Sequence, residues 1–138
     1  MIEKLISLIK ECKNSGKTVF VCGNGGSASA AEHFSCDLLT KEVKVICLNS
    51  NSSTMTMIGN DFGYEYVFSR QLSVLASEGD LLITISCSGT SPNVVNAQKT
   101  ATDMGLNVHQ FPVFDKDRDY EKLEDEHLQL IHKVKKLL

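Results

Sequence analysis

The sequence lacks a basic excess, a long apolar run and a closely spaced cysteine pair. Its 138 residues hold 14 lysines and arginines against 17 aspartates and glutamates, so the net charge of -3 does not indicate nucleic-acid binding. No apolar stretch is long enough to predict a membrane-spanning helix. The five cysteines form no CxxC pair, so their spacing does not support a zinc knuckle and favours reduced thiols in a cytoplasmic protein.

Nucleotide-binding fingerprints, internal repeats and linkers are absent as well. The glycine-rich stretch GNGGS, residues 23–27, is not followed by GKS or GKT as in a P-loop, and it lacks GxGxxG spacing. The opening MIEKLISLIK predicts an amphipathic helix rather than a signal peptide, because it has no continuous apolar core and no cleavage site. Length and composition predict one globular domain over residues 1–138.

What is present is an alternation of apolar strands with helices. Strands are predicted at residues 18–22, 43–48 and 80–86, with a short one within 106–114. Helices are predicted at residues 2–15, 26–40, 92–104 and 119–137, and from an N-cap at Ser53 through the segment ending near residue 77. This order predicts an α/β fold with a mainly parallel sheet that helices cover on both faces.

Two polar loops follow predicted strands, at the sheet edge where ligands bind in such folds. In GNGGS, glycines allow backbone N–H groups to approach an anion at the start of a helix. In SCSGTSPN, residues 86–93, three serines and a threonine surround one glycine. A tight turn or a helix cap explains either loop alone, but the two together favour a phosphate ester as ligand.

Two pairs of histidine and carboxylate side chains occur at helical spacings. His33 and Asp37 lie four residues apart, and Glu124 and His132 lie eight apart on the last predicted helix. Either pair alone is more often a surface pair. Together they offer two nitrogens and two carboxylates for a divalent metal, or an acid and a base, if the fold brings them together.

The first and last helices each carry an apolar stripe. A small sheet is not expected to cover both stripes, and exposed stripes of this kind mark interfaces. The sequence therefore predicts a homo-oligomer, with a tetramer as the expected form.

Four segments carry a family resemblance: GNGGSASAAEHFSCDL, IGNDFGYEYVFSRQL, GDLLITISCSGTSPNVVNA and LEDEHLQLIH. In combination they resemble the phosphoheptose isomerase group of the SIS (sugar isomerase) domain family. The resemblance implies a three-layer sandwich and a ketose–aldose isomerase that converts sedoheptulose 7-phosphate through an enediol, toward heptose for bacterial surface polysaccharide or lipopolysaccharide. It also implies a cytoplasmic homotetramer with active sites between subunits, and zinc or another divalent metal.

The resemblance assigns roles by position. Asp37 would be the base that takes the proton beside the carbonyl, and His132 would serve the oxygens. The metal ligands would be His33, Asp37, Glu124 and His132. The residues implied to contact the phosphorylated sugar are Asn24, Gly25, Ser27, Asp61, Ser86, Cys87, Ser88, Thr90, Ser91 and Glu124.

The chain departs from the family pattern in several places. Asp37 stands where the family usually has glutamate, Glu124 replaces a glutamine and Lys41 replaces an arginine. Only GLNVHQ separates Met104 from FPVF, where the family has a strand, a glycine-rich loop and a helix. A parallel crossover needs a dozen or more residues, so we expect a fold one strand–helix unit shorter, or a sheet in which residues 106–113 fill the vacancy.

Two alternatives to an isomerase stay open at this point. The missing unit and the shortened base favour a non-catalytic module that binds a phosphosugar or a partner protein. A third option is a structural subunit that completes a tetramer with a full-length paralogue. The retention of both histidine–carboxylate pairs favours the enzyme.

Overall fold

The computed structural model describes residues 2–138 as helices that alternate with parallel strands. The strands are β1 (Val19–Gly23), β2 (Val45–Cys47), β3 (Leu81–Ile85) and β4 (Asn107–Gln110). The helices are α1 (Ile2–Ser15), α2 (Gly26–Thr40), α3 (Ser52–Asp61), α4 (Ser69–Leu75), α5 (Pro92–Asp103) and α6 (Tyr120–Leu137), with a single 3-10 turn at Tyr64–Tyr66.

The four strands form one sheet in the order β2–β1–β3–β4, and every pairing is parallel. Val19 of β1 lies opposite Val45 on one side and Leu81 on the other. The strand order reverses between β1 and β3, because the chain leaves β1 toward β2 and then crosses to β3. Ligands bind outside the carboxyl ends of the strands at such a reversal.

Helices bury both faces of the sheet, as the sequence predicts. All residues of β1 and β3 are buried, as expected for parallel strands that are covered on two sides. Val19 and Val21 join one core cluster with α1, α2 and α6. Phe20 and Cys22 join a second cluster with α3, α4 and α5. The result is the predicted three-layer sandwich.

The apolar stripes of α1 and α6 are not exposed. Leu5 and Ile9 of α1 pack in the same cluster as Ile131 and Val134 of α6, against one face of the sheet. The expectation that these stripes form an intersubunit surface is therefore wrong, because the two helices cover each other and the sheet.

The segment between β2 and β3 corrects a second expectation. Its helix begins at Ser52, because the Asn51 side chain caps it by accepting the Thr54 N–H at 3.0 Å; Ser53 is not the N-cap. The helical pattern then breaks at Gly63, whose φ of 121° is incompatible with a helix. Two shorter helices and a 3-10 turn therefore replace one continuous helix.

The segment after α5 explains how a shortened chain still closes over the sheet. Asn107–Gln110 pairs directly with β3, so these residues supply the fourth strand. The Phe111 N–H then donates to Thr84 and the Phe114 N–H to Cys87, at 2.9 and 2.7 Å. These bonds guide residues 111–119 across the end of β3 and place the start of α6 at the strand ends. No helix within residues 2–138 has the length and apolar character to cross a bilayer.

Candidate active site

A pocket lies where β1 and β3 end, at the reversal of strand order. Its volume is about 250 Å³. It is lined by Asn24, Gly25, Gly26, Ser27, Ser86, Cys87, Ser88, Ser91, Tyr120 and Glu124. Both polar loops that the sequence singled out therefore meet in one cavity, together with the first turn of α6.

Gly23, directly before the pocket residues of the glycine loop, packs closely against neighbouring backbone. A Cβ on Gly23 would lie 2.6 Å from the Ser27 carbonyl oxygen and 2.7 Å from that of Ile85, so only glycine fits there. The Asn49 side chain donates to the Gly23 carbonyl at 2.7 Å and accepts from its N–H at 3.2 Å. The turn into α2 is thus fixed by both neighbouring strands.

Two serines of the serine loop line the cavity, and each hydroxyl oxygen already accepts one backbone hydrogen bond. Ser86 Oγ accepts the Gly89 N–H at 3.0 Å, and Ser88 Oγ accepts the Thr90 N–H at 3.2 Å. These contacts leave the hydroxyl protons available as donors to an anion. Thr90 itself is exposed and does not line the pocket, so its predicted ligand contact gains no support.

An amide pair anchors the edge of the pocket. Asn24 Nδ2 donates to Asn93 Oδ1 at 2.8 Å, and Asn93 Nδ2 donates back to Asn24 Oδ1 at 2.9 Å. The Tyr64 hydroxyl also donates to Asn24, at 3.2 Å. Because Asn93 is buried, this pair ties the glycine loop to the first turn of α5.

The Cys87 thiol is a buried packing group of the pocket and not a nucleophile. Burial raises the pKa of Cys87, a hydrogen bond with Ser27 lowers it, and the Glu124 carboxylate raises it; burial dominates. A buried thiol with a raised pKa stays protonated and unreactive near neutral pH.

A second group of polar side chains forms where α2 packs on α6. His33, Asp37 and His132 each offer a ligand atom, and these atoms all lie within 4.8 Å of one another. His33 Nε2 lies 3.3 Å from His132 Nε2 and 3.4 Å from Asp37 Oδ2. Ligands about 2.0–2.1 Å from a tetrahedral ion stand about 3.3–3.4 Å apart, so both spacings fit a site for zinc.

Asp37 is the buried member of this group, and its two oxygens differ. Oδ1 accepts a hydrogen bond from Lys135 Nζ at 3.2 Å. Oδ2 is buried without a hydrogen-bond partner among the described residues. An oxygen in this state is suited to bind a metal or to take a proton, since nothing else satisfies it.

Glu124 and Asp61 do not join that group. Glu124 precedes His132 by eight residues, a rise of about 12 Å along a helix, and it lines the pocket between the two polar loops instead. A role for Glu124 as a metal ligand therefore stays a prediction, and no contact with His33, Asp37 or His132 supports it. Asp61 ends α3, is exposed and accepts from Asn60 Nδ2 at 2.9 Å, outside the pocket.

His127 fixes the path of the chain into α6. Its Nε2 carries the proton and donates to the Pro112 carbonyl at 2.6 Å, whereas Nδ1 is buried without a partner. Burial lowers the pKa of His127 against the opposing effect of the Pro112 hydrogen bond. The bond holds residues 111–119 against α6, close to the pocket.

Sequence reasoning missed three residues of the site. The sequence indicates Tyr120 only as a residue near the start of a predicted helix. It lines the pocket because residues 111–119 cross the end of β3. Asn93 followed the serine loop and had no marked role. Lys135 could have been found, since it lies three residues after His132 and thus on the same face of the helix.

Comparison with known proteins identifies a family for the part of the chain that forms the sheet. A model of the SIS domain matches residues 1–110, which end with β4. The phosphoheptose isomerase of Campylobacter concisus is 43% identical over 113 residues, 78% of this chain and 60% of that protein. That of Helicobacter hepaticus is 39% identical over 145 aligned positions, 91% of this chain and 74% of the relative.

A solved structure agrees over a longer span. The phosphoheptose isomerase GmhA from Neisseria gonorrhoeae matches with a TM-score of 0.92 at 31% identity, covering 99% of this chain and 83% of that one. The chain belongs to the SIS domain family. Within that family it is similar to the phosphoheptose isomerases.

The chain is shorter than these relatives. It spans 60%, 58% and 60% of the length of three of the curated phosphoheptose isomerases it matches. The alignment with the Helicobacter protein has 145 positions and this chain has 138 residues, so the relative carries residues that this chain lacks. The extra positions in that alignment fit the expectation of a lost strand–helix unit.

Proposed function

We propose that this protein is a ketose–aldose isomerase of a phosphorylated sugar, with sedoheptulose 7-phosphate as the expected substrate. Its relatives carry the name phosphoheptose isomerase. The phosphate would bind in the pocket at the ends of β1 and β3, and the reacting carbons would lie beside Asp37 and His132.

The observation that carries the proposal is the spacing of two groups along one pair of helices. Gly26 of α2 lies against Glu124 of α6, and His33 lies against His132 further along the same two helices. The steps of seven and eight residues correspond to about 10–12 Å. An extended sugar phosphate of six or seven carbons spans that length, and a triose phosphate does not.

The chemistry requires a base, a group that serves the oxygens and an anchored phosphate. The Asp37 carboxylate would take the proton from the carbon beside the carbonyl, through Oδ1 when Oδ2 holds a metal. The His132 imidazole, 3.3 Å from His33, would move a proton between the two substrate oxygens. The hydroxyl groups of the serine loop and the N–H groups at the start of α2 would hold the phosphate.

The metal that the family implies fits the donor set present here. His33, His132 and Asp37 Oδ2 would hold it, and two imidazoles with a carboxylate suit zinc and other divalent transition metals. When bound, the metal would polarise the substrate carbonyl. Lys135 would keep the Asp37 carboxylate in place from its other oxygen.

The convergence of these three side chains favours an enzyme over the binding module. A module that only binds a phosphosugar needs the pocket but has no use for His33, Asp37 and His132 at ligand distance. His33 and His132 are 99 positions apart in the chain, so local sequence does not explain their meeting.

We also infer a homotetramer that works in the cytoplasm, in a route toward surface polysaccharide. The exposed apolar side chains near α3 and α4, rather than the stripes of α1 and α6, are the surface that supports an oligomer. They are Met57, Phe62, Val74 and Leu75. The five cysteines are free, as thiols stay in a reducing compartment.

The test is conversion of sedoheptulose 7-phosphate by the purified chain supplied with zinc, followed by chromatography of the sugar phosphates. We expect turnover that Asp37→Asn abolishes. As a matched control, Asp125→Asn removes an exposed carboxylate of α6 and should leave turnover unchanged. Absence of turnover in a folded, metal-loaded protein that binds phosphate would favour the binding module.

A further inference from the structure

Glu124 places a carboxylate inside the pocket proposed to bind phosphate. The other lining side chains are hydroxyl, amide and thiol groups, without a charge of either sign. A methyl group on Gly26 would overlap the Glu124 carboxylate, so this carboxylate lies directly against the first residue of α2. The N–H groups of Ser27 and Ala28 in this turn donate to the carbonyls of Asn24 and Gly25, so the carboxylate is stabilised by the positive end of the α2 dipole rather than by a hydrogen bond.

No basic side chain neutralises Glu124 within residues 2–138, where the ion pairs involve Asp37 and Asp117 instead. The positive end of α2 is therefore the favourable electrostatic contact available to the Glu124 carboxylate. The charge of Glu124 also acts within the pocket, since it contributes to the raised pKa of Cys87.

We propose that Glu124 is a resident anion: it occupies the phosphate position of the unliganded protein and must move when a sugar phosphate binds. This inference rests on the proposed phosphate-binding role of the pocket. A carboxylate and a phosphate dianion a few ångströms apart repel each other, so they do not share one helix terminus. Binding therefore includes the free energy of displacing Glu124.

The displacement selects among ligands. A neutral sugar gains no contact with the helix terminus that would compensate for moving a carboxylate, whereas a phosphate group does. Glu124 lies at the beginning of α6, and His132 lies on the same helix, so phosphate entry acts on the element that carries one member of the His–Asp–His group. Glu124 is thus a specificity-determining residue of the pocket.

The experiment is a calorimetric titration of inorganic phosphate into the full chain and two variants. Glu124→Gln keeps the shape of the side chain and removes its charge, and we expect phosphate to bind at least about tenfold more tightly. Glu126→Gln removes the same charge from an exposed position of the same helix, and its affinity should equal that of the unmodified chain. Equal or weaker binding to Glu124→Gln would overturn the inference.

The outcome separates this inference from the proposed activity. If Glu124→Gln gains affinity but the unmodified chain does not convert sedoheptulose 7-phosphate, the resident anion stands and the isomerase proposal fails. If the unmodified chain isomerises the sugar while Glu124→Gln shows no gain, only the resident anion fails. Absence of phosphate binding to both proteins would also overturn the inference.

Discussion

The pocket proposed to bind phosphate and the His–Asp–His group are built in different ways. The pocket consists mainly of two loops, each next to the strand that positions it, and most of its donors are backbone or hydroxyl groups. The His–Asp–His group consists of side chains from α2 and α6, which meet only because both helices pack on one face of the sheet. The pocket thus depends on local backbone geometry, whereas the His–Asp–His group depends on helix packing.

The two sites share α2 and α6 but should fail separately. Loss of a ligand in the His–Asp–His group should leave the loops intact, and loss of loop hydroxyls should leave the helices packed. Variants that affect one site and spare the other therefore measure how far this separation holds.

The largest effect is expected for the histidines. His33→Ala and His132→Ala should each weaken zinc binding by more than about a hundredfold, because each removes one of three ligands. Loss of a residue that only supports a ligand costs less, about 10–100-fold. Competition with a chromophoric chelator measures the affinity. His109→Gln, on β4 and outside the group, is the control. Phosphate binding should persist in all three variants, and its loss would contradict the separation.

The next effect concerns the serine loop. Replacing Ser88 and Ser91 together with alanine should weaken phosphate binding by about 1–3 kcal/mol, as for lost hydrogen bonds to a charged group. Calorimetry measures the change, with Ser53→Ala on the exposed face of α3 as a control. Zinc affinity should not change. Unaltered phosphate affinity in the double variant would show that the anion binds elsewhere.

A third change tests the backbone of the pocket. Gly23→Ala should lower the free energy of unfolding by about 1–3 kcal/mol, because its Cβ meets two carbonyl oxygens at 2.6 and 2.7 Å. Gly59→Ala is the matched control: it lies within α3, where a Cβ meets nothing closer than 3.8 Å, and alanine should stabilise the helix. Urea unfolding of both variants decides, and equal stabilities would refute the close approach at Gly23.

The smallest effect is a pH dependence from His127. Burial lowers its pKa in the folded chain, so the unfolded chain binds the proton more tightly. Its contribution to stability is complete above about pH 6.5 and declines as the pH falls toward the folded-state pKa, by at most about 1.4 kcal/mol per pH unit. His109, whose pKa burial also lowers, acts with the same sign.

His127→Gln removes this titration and can keep the hydrogen bond to Pro112. Urea unfolding at pH 7 and pH 5 should show a smaller loss of stability for the variant than for the unmodified chain. His109→Gln shows how much of the loss comes from the second histidine. A loss that is the same with and without His127 would contradict the assignment.

The difference between the sites also explains what the sequence could predict. Apolar strand segments and the loops at 23–27 and 86–91 are local signals, so the parallel sheet and the lining by Ser27, Ser86 and Ser88 were predictable. The pairing of His33 with Asp37 followed from helical spacing. Whether His132 would reach them depended on the packing of α6, which the shortened segment before it left open.

Other features were beyond sequence reasoning for physical reasons. The stripes of α1 and α6 are apolar in any packing, and only the three-dimensional arrangement shows that they cover each other. Glu124 shares a helix with His132, yet the helical rise carries it to the other site. Tyr120 gained its position in the pocket from the path of residues 111–119 and not from any motif.

The most direct test of the central claim follows the proton that Asp37 is proposed to move. The zinc-loaded chain is incubated with sedoheptulose 7-phosphate in D₂O, and proton NMR records deuterium at the carbons beside the carbonyl. An enediol route predicts deuterium incorporation by the unmodified chain and its loss in Asp37→Asn, with phosphate binding retained in both. Interconversion of ketose and aldose without deuterium incorporation, or incorporation that persists in Asp37→Asn, would contradict the account.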